Sequence, residues 1–132
     1  MGKQRDNRNC LSTEGTARLL HSIVGGVAVN AQRSQTMMAS MLRNLDPEVL
    51  KLDPENQVTG FIGDGLGLDA KVWSKAGWTS QTRHDAAYVE LPGKTPYLLV
   101  VFTEGKQASQ SEEVIPFISK KVAEMVPAKA PD

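Results

Sequence analysis

Residues 71–105 read KVWSKAGWTSQTRHDAAYVELPGKTPYLLVVFTEG, and the second half of this stretch decides the fold. Over 84–91, Ala87, Val89 and Leu91 recur at every second position, the period of a strand with one buried face. Residues 97–103 form a continuous apolar run, as expected of a strand buried on both faces. Pro92-Gly93-Lys94-Thr95 between them has turn chemistry, so the two strands should be antiparallel neighbours. Residues 71–76 alternate around Val72 and Trp73 and supply a third strand.

Helical patterns flank this block. A helix is expected over 13–24: Ser12 is a good N-cap, Glu14 sits where the helix dipole favours an anion, and Ala17, Leu20, Ile23 and Val24 form an apolar stripe. Gly25-Gly26 stops it. A second helix follows Asn30, with Met37, Met38, Met41, Leu42 and Leu45 at helical spacing as core filler. Residues 46–70 are rich in turns, with Asp-Pro at 46–47 and 53–54; short helical or strand pieces fit around Val49 and over 58–62. A final helix should begin at a Ser109–Glu112 capping box and bury Val114, Ile115, Ile118, Val122 and Met125, with Pro116 bending it or delaying its start. The expected class is α+β: a three-stranded antiparallel sheet packed against a C-terminal helix, with two preceding helices. Residues 1–10 and 128–132 read as tails around a domain at 11–127.

Composition narrows the function classes. The chain's 132 residues suit one domain that needs no disulfide or metal staple. Fifteen basic and fifteen acidic residues cancel, which argues against a non-specific nucleic-acid binder. The one cysteine, Cys10, cannot form an internal disulfide, and in the expected tail it has no base beside it to make it a nucleophile. The apolar run at 97–102 is far too short for a membrane span, and residues 1–9 lack the pattern of a signal peptide.

Most chemistry-bearing residues have plain structural readings. His21 and His84 have no cysteine or carboxylate at ligand spacing, so no metal site is expected. Gly63-Asp64-Gly65-Leu66-Gly67 lacks the Gly-Lys-Ser/Thr ending and a following helix, so it reads as a turn and no cofactor is implied. Glu112 and Glu113 are explained by capping. The strongest segment is Trp73-Ser74-Lys75-Ala76-Gly77-Trp78-Thr79-Ser80, where a cation and a glycine at a strand end would let an anionic ligand lie against the backbone. Read alone, it is an ordinary edge strand.

In context, residues 71–126 resemble the C-terminal part of the class A β-lactamases and related penicillin-recognising serine hydrolases. That family carries a Lys-Thr/Ser-Gly triplet on a strand, then two antiparallel strands, a Thr-x-Gly-like turn and a long helix. Lys75-Ala76-Gly77, residues 84–91 and 97–103, Thr103-Glu104-Gly105 and the helix from Ser109 follow this order. Residues 11–20, LSTEGTARLL, are similar to the family's Thr-Pro-x-x-hydrophobic-Ala helix start, so the likeness covers roughly 11–126.

The resemblance implies a partial β-lactamase/transpeptidase-like fold and a β-lactam or peptidoglycan-like small substrate. It implies that Lys75 faces the substrate carboxylate, that Gly77 allows close approach of the acyl group, and that the backbone N–H of Trp78 is an oxyanion donor, with Arg83 supplementing the carboxylate site. Ala76 departs from the triplet, and a lost bond to a charged group is worth about 1.5–3 kcal/mol. No serine in the chain is followed by lysine three residues on, and the Ser-Asp-Asn and deacylating glutamate have no match, Arg5-Asp6-Asn7 standing before the first helix. The nucleophile is therefore expected from elsewhere, so the chain alone should be inactive. It should pair with an N-terminal half or a second copy; the alternative is a non-catalytic binding or oligomerisation module. The family is typically periplasmic or secreted.

Overall fold

The computed structural model describes residues 10–132. The expected tail at 1–9 lies outside them, and Cys10 is exposed. Helix α1 (Thr13–Val24) begins at Ser12, whose hydroxyl accepts from the Gly15 amide. Helix α2 (Ala31–Met41) begins at Asn30, whose side chain accepts from the Arg33 amide. A four-residue helix, α3 (Pro47–Leu50), starts at Asp46 with proline in its first turn, and a 3-10 turn follows at Ile62–Gly65. Strands β1 (Lys71–Trp78), β2 (Thr82–Glu90) and β3 (Tyr97–Glu104) form one antiparallel sheet in the order β1-β2-β3. Helices α4 (Lys106–Gln110) and α5 (Val114–Met125) complete the chain.

Strand pairing fixes which residues share a face. Val72 pairs with Val89, Ser74 with Ala87, Ala76 with Asp85, and Trp78 with Arg83. One face of the sheet therefore carries Val72, Ala76, Ala87 and Val89, which join Ile62 from the 3-10 turn and Ile115 from α5 in the main core. The Ser119 hydroxyl donates to the Ile62 carbonyl at 2.7 Å and pins α5 to the 3-10 turn. Helix α1 packs against β2 and β3, and α2 against β1. The buried Leu20 and Ile23 of α1 lie outside the main cluster, so the sheet is covered from both sides.

Several expectations are corrected. The apolar run in β3 is not buried on both faces: Val101 is buried, while Leu98, Leu99, Val100 and Phe102 are half-buried. The cause is position, since β3 is an edge with no strand beyond it in the described sheet. The single final helix is two helices. Ser109 lies inside α4, where its hydroxyl donates to the Lys106 and Ser80 carbonyls, so it caps nothing. Helix α5 starts at Val114, which places Pro116 in the first turn, where a missing N–H costs no intrahelical bond. Met125 is exposed rather than buried, as are Val114 and, beyond the end of α2, Leu42. The expected tail is pinned at its start: Ala128 bridges Lys94, and the Lys129 amide donates to Gly93 at 2.9 Å.

Gly65 is where the 3-10 turn meets α5 most closely. A Cβ there would overlap the Pro116 carbonyl oxygen and lie 3.0 Å from the Ser119 Cβ. Gly65→Ala should therefore lower stability by about 1–3 kcal/mol, as overpacking a rigid contact does. Urea titration should show this as a lower midpoint with an unchanged slope.

Candidate functional site

The segment Lys75-Ala76-Gly77-Trp78 lies at the C-terminal end of β1, an edge strand. An edge strand turns the N–H and C=O of alternate residues away from its neighbour. In β1 these are the even-numbered residues. The Arg43 amide donates to the Val72 carbonyl at 2.9 Å, the Arg43 Nη2 donates to the Ser74 carbonyl, and the Ala76 amide donates to the Gln57 Oε1 at 2.9 Å. On the inner side, the Thr79 amide donates to the Thr82 carbonyl at 2.8 Å across the hairpin. Trp78 continues the even series, so the alternation aims its N–H at the outer edge.

Lys75 is exposed and leaves the sheet on the face opposite Ala76 and Asp85, then turns back over the edge. Its ammonium donates to the Ala76 carbonyl and, at 3.4 Å, to the Gln57 Oε1. Ala76 sends its methyl into the core at 3% exposure, so only its backbone reaches the outer edge. A Cβ on Gly77 would meet nothing within 4 Å, which leaves open space against the strand at that residue.

Arg83 is not free on the surface. It is 8% exposed, its Nε donates to the Ser109 carbonyl at 3.0 Å and its Nη1 to the Gly60 carbonyl at 3.4 Å. Its guanidinium lies 4.6 Å from the centroid of the Phe61 ring, which in turn packs on Trp78 at 5.4 Å. These groups form one wall of a cleft of about 680 Å³ that runs between α3 and the 3-10 turn, with Leu45, Val58 and Glu112 also lining it. Trp78 and Arg83 thus share a cleft, while Lys75 stands outside it on the strand edge.

Of the other residues weighed from the sequence, His21 is exposed on α1 and His84 accepts from the Thr103 amide at 3.2 Å within the sheet. Asp64 closes its own turn by accepting from the Gly60 amide at 2.8 Å.

Sequence reasoning missed Asp85, Gln57 and Arg43. Asp85 is 1% exposed beneath the site; its Oδ2 accepts from the Ile62 amide at 2.9 Å, and its Oδ1 has no partner among the described residues. Burial raises its pKa to about 6; the Ile62 and Ala86 amides and the charges of Arg43 and Lys75 oppose that rise. Burial also lowers the pKa of Arg43, which the Asp85 charge partly restores. Neither Lys75, Arg43 nor Arg83 has a carboxylate within salt-bridge distance among the described residues. Three cations therefore stand at this end of the sheet on neutral acceptors. The parity that puts Ala87 and Val89 on the core face also puts Asp85 there, so its burial was readable. Gln57 lies in the turn-rich segment, where no period marked it.

Comparisons with known proteins bear on the family and the fold. A family model described as "Beta-lactamase enzyme family" matches residues 1–126. The structure of PBP-A superposes with a TM-score of 0.62 at 20% identity, covering 89% of this chain and 44% of that one. A beta-lactamase from Sphaerobacter thermophilus DSM 20745 gives 0.61 at 18% identity, covering 96% and 48%. The chain thus spans less than half the length of either structure. No curated protein matches the sequence.

The shifted Asp85 makes stability depend on pH in a definite sense. Its pKa is higher folded than unfolded, so the folded state holds the proton longer and stability falls as pH rises from about 4 to about 6. A shift of roughly two units corresponds to about 3 kcal/mol. Asp85→Asn should remove this dependence. Denaturation from pH 4 to pH 7 should show the wild type losing about that much relative to the variant, and parallel curves would contradict the assignment. The fold, the sheet that carries the Lys-Ala-Gly segment and the match over residues 1–126 lead to one conclusion: this chain belongs to the beta-lactamase enzyme family.

Proposed function

We propose that this chain is the C-terminal, substrate-binding portion of a β-lactamase-like serine hydrolase, and that the nucleophile comes from a segment outside it. What supports the proposal is the outer edge of β1: the strand alternation directs the Trp78 N–H outward, the Lys75 ammonium lies against the Ala76 carbonyl, and Gly77 leaves open space between them. In the reaction, a serine oxygen bonds to the carbonyl carbon of a β-lactam or D-alanyl amide. The C–N bond breaks and the nitrogen takes a proton; water then cleaves the acyl ester and frees the serine. The Trp78 amide donates to the oxyanion as charge moves onto the carbonyl oxygen. Lys75 attracts the substrate carboxylate. Arg83, held in the cleft wall beside Trp78, adds positive potential without leaving its backbone partners.

The missing serine defines what the isolated chain can do. It should neither hydrolyse a chromogenic cephalosporin nor take a covalent label from a fluorescent penicillin. It should bind benzylpenicillin reversibly, and an amide titration should place the largest shift at Trp78. Lys75→Ala should weaken that binding by about tenfold or more, because a charge-assisted hydrogen bond contributes about 1.5–3 kcal/mol. Covalent labelling, or shifts that map away from β1, would overturn the proposal.

The same reading assigns a partner to β3. Its apolar residues other than Val101 are half-buried on an edge strand, and such an edge recruits another backbone. The partner is the remaining portion of the fold or, in its absence, a second copy of the chain. Sedimentation of the purified chain should show self-association; a stable folded monomer at micromolar concentration would rule this out.

A further inference from the structure

Gln57 sits half-buried beside β1, in the segment between α3 and the 3-10 turn. Its Oε1 is the common acceptor for the Ala76 amide at 2.9 Å, the Arg43 Nη2 at 3.3 Å and the Lys75 Nζ at 3.4 Å. Three donors converge on that atom, which identifies it as the oxygen rather than the nitrogen of the amide. Arg43 braces the arrangement from the other side: its Nε donates to the Ser74 hydroxyl at 3.1 Å and its Nη2 to the Ser74 carbonyl. Side chains thus occupy the outer edge of β1 at Ser74 and Ala76, and the first outward amide beyond them belongs to Trp78.

We propose that Gln57 is a register-setting residue that blocks the Ala76 amide and so confines ligand pairing on β1 to Trp78 and the residues after it. This deepens the function proposed above and rests on it. An extended peptide adding to an edge strand needs successive outward N–H and C=O groups. With Ala76 occupied on both its N–H and its C=O, such a peptide has no run to pair with. A compact acyl donor needs one amide for its carbonyl oxygen and one cation for its carboxylate, and these are what the edge leaves: Trp78 and Lys75. Gln57 is a positioning residue in this scheme, since it also holds the Lys75 ammonium against the Ala76 carbonyl. The substrate class it selects is the small acyl compound rather than the extended chain.

Amide hydrogen exchange on the full chain tests this without any ligand. In the wild type the Ala76 amide should exchange at least tenfold more slowly than the Trp78 amide. Gln57→Ala should speed Ala76 by tenfold or more and leave Lys75 and Gly77, which bond to β2, unchanged. Gln57→Glu keeps an acceptor oxygen at the same reach and should keep Ala76 slow; it also guards against a Gln57→Ala variant that fails to fold. Equal exchange at Ala76 and Trp78 in the wild type, or no change in Gln57→Ala, would overturn the proposal. Benzylpenicillin added to the wild type should move Trp78 and spare Ala76, whereas a shift at Ala76 counts against Gln57 as the barrier. If benzylpenicillin moves no amide, the proposed function fails while the exchange rates still judge Gln57.

Discussion

Every second residue of an edge strand presents a hydrogen-bond donor and acceptor that its sheet cannot use, and the disposal of those groups along β1 organises this end of the molecule. A buried or half-buried peptide group left unpaired costs about 1–3 kcal/mol. At Val72 and Ser74 the loop after α2 meets the need through Arg43, by its backbone amide and its guanidinium. At Ala76 the need is met by Gln57 and Lys75. The series stops one step short of the strand's end. At Trp78 no side chain covers the outward amide among the described residues, which leaves that group for water or a ligand.

The same pairing register sorts the charges. Lys75 and Asp85 stand on opposite faces because Asp85 is opposite Ala76, one residue along from Lys75. The carboxylate goes into the core, where it is bonded by backbone amides and its pKa rises to about 6. The ammonium goes outward, over the strand edge, where it donates to the Ala76 carbonyl. Arg43 lies between the two environments, desolvated by its surroundings and drawn by Asp85. A one-residue slip of β1 would carry Lys75 to the core face, and one of β2 would carry Asp85 out of it. The register that builds the core therefore also fixes the sign of the potential at the strand edge.

Much of the fold was legible because its signals are local. Ser12 caps α1 and α2 follows Asn30 as the sequence implies, and the turn at residues 92–95 joins β2 and β3 as expected. The failures share a cause: they turn on long-range packing. Nothing near Ser109 reveals that its hydroxyl bonds to Ser80 across the hairpin rather than capping the next helix. Nothing in the run at 97–103 reveals that β3 is an edge. The Lys75-Ala76-Gly77-Trp78 segment could be located from its residues, but its geometry could not. That Arg83 is held by Ser109 and Gly60 depends on segments more than twenty residues away in either direction, and that Gln57 takes the Ala76 amide depends on one nineteen residues upstream.

The two edges of the sheet are not alike, and the difference bears on what each can receive. On β1, Arg43, Gln57 and Lys75 cover the outer edge with long polar side chains, two of them cationic. Charged side chains and occupied backbone groups are what keep one strand from adding to another. The outer edge of β3 carries no such guard. From outside the sheet, no hydrogen bond reaches the backbone of residues 98–102 among the described residues, and its side chains there are apolar. On the function proposed above, a backbone partner would take β3 and a small anionic ligand β1. Because β2 separates them, a strand added at β3 would leave the outer edge of β1 uncovered, so the two proposed roles do not compete for one surface.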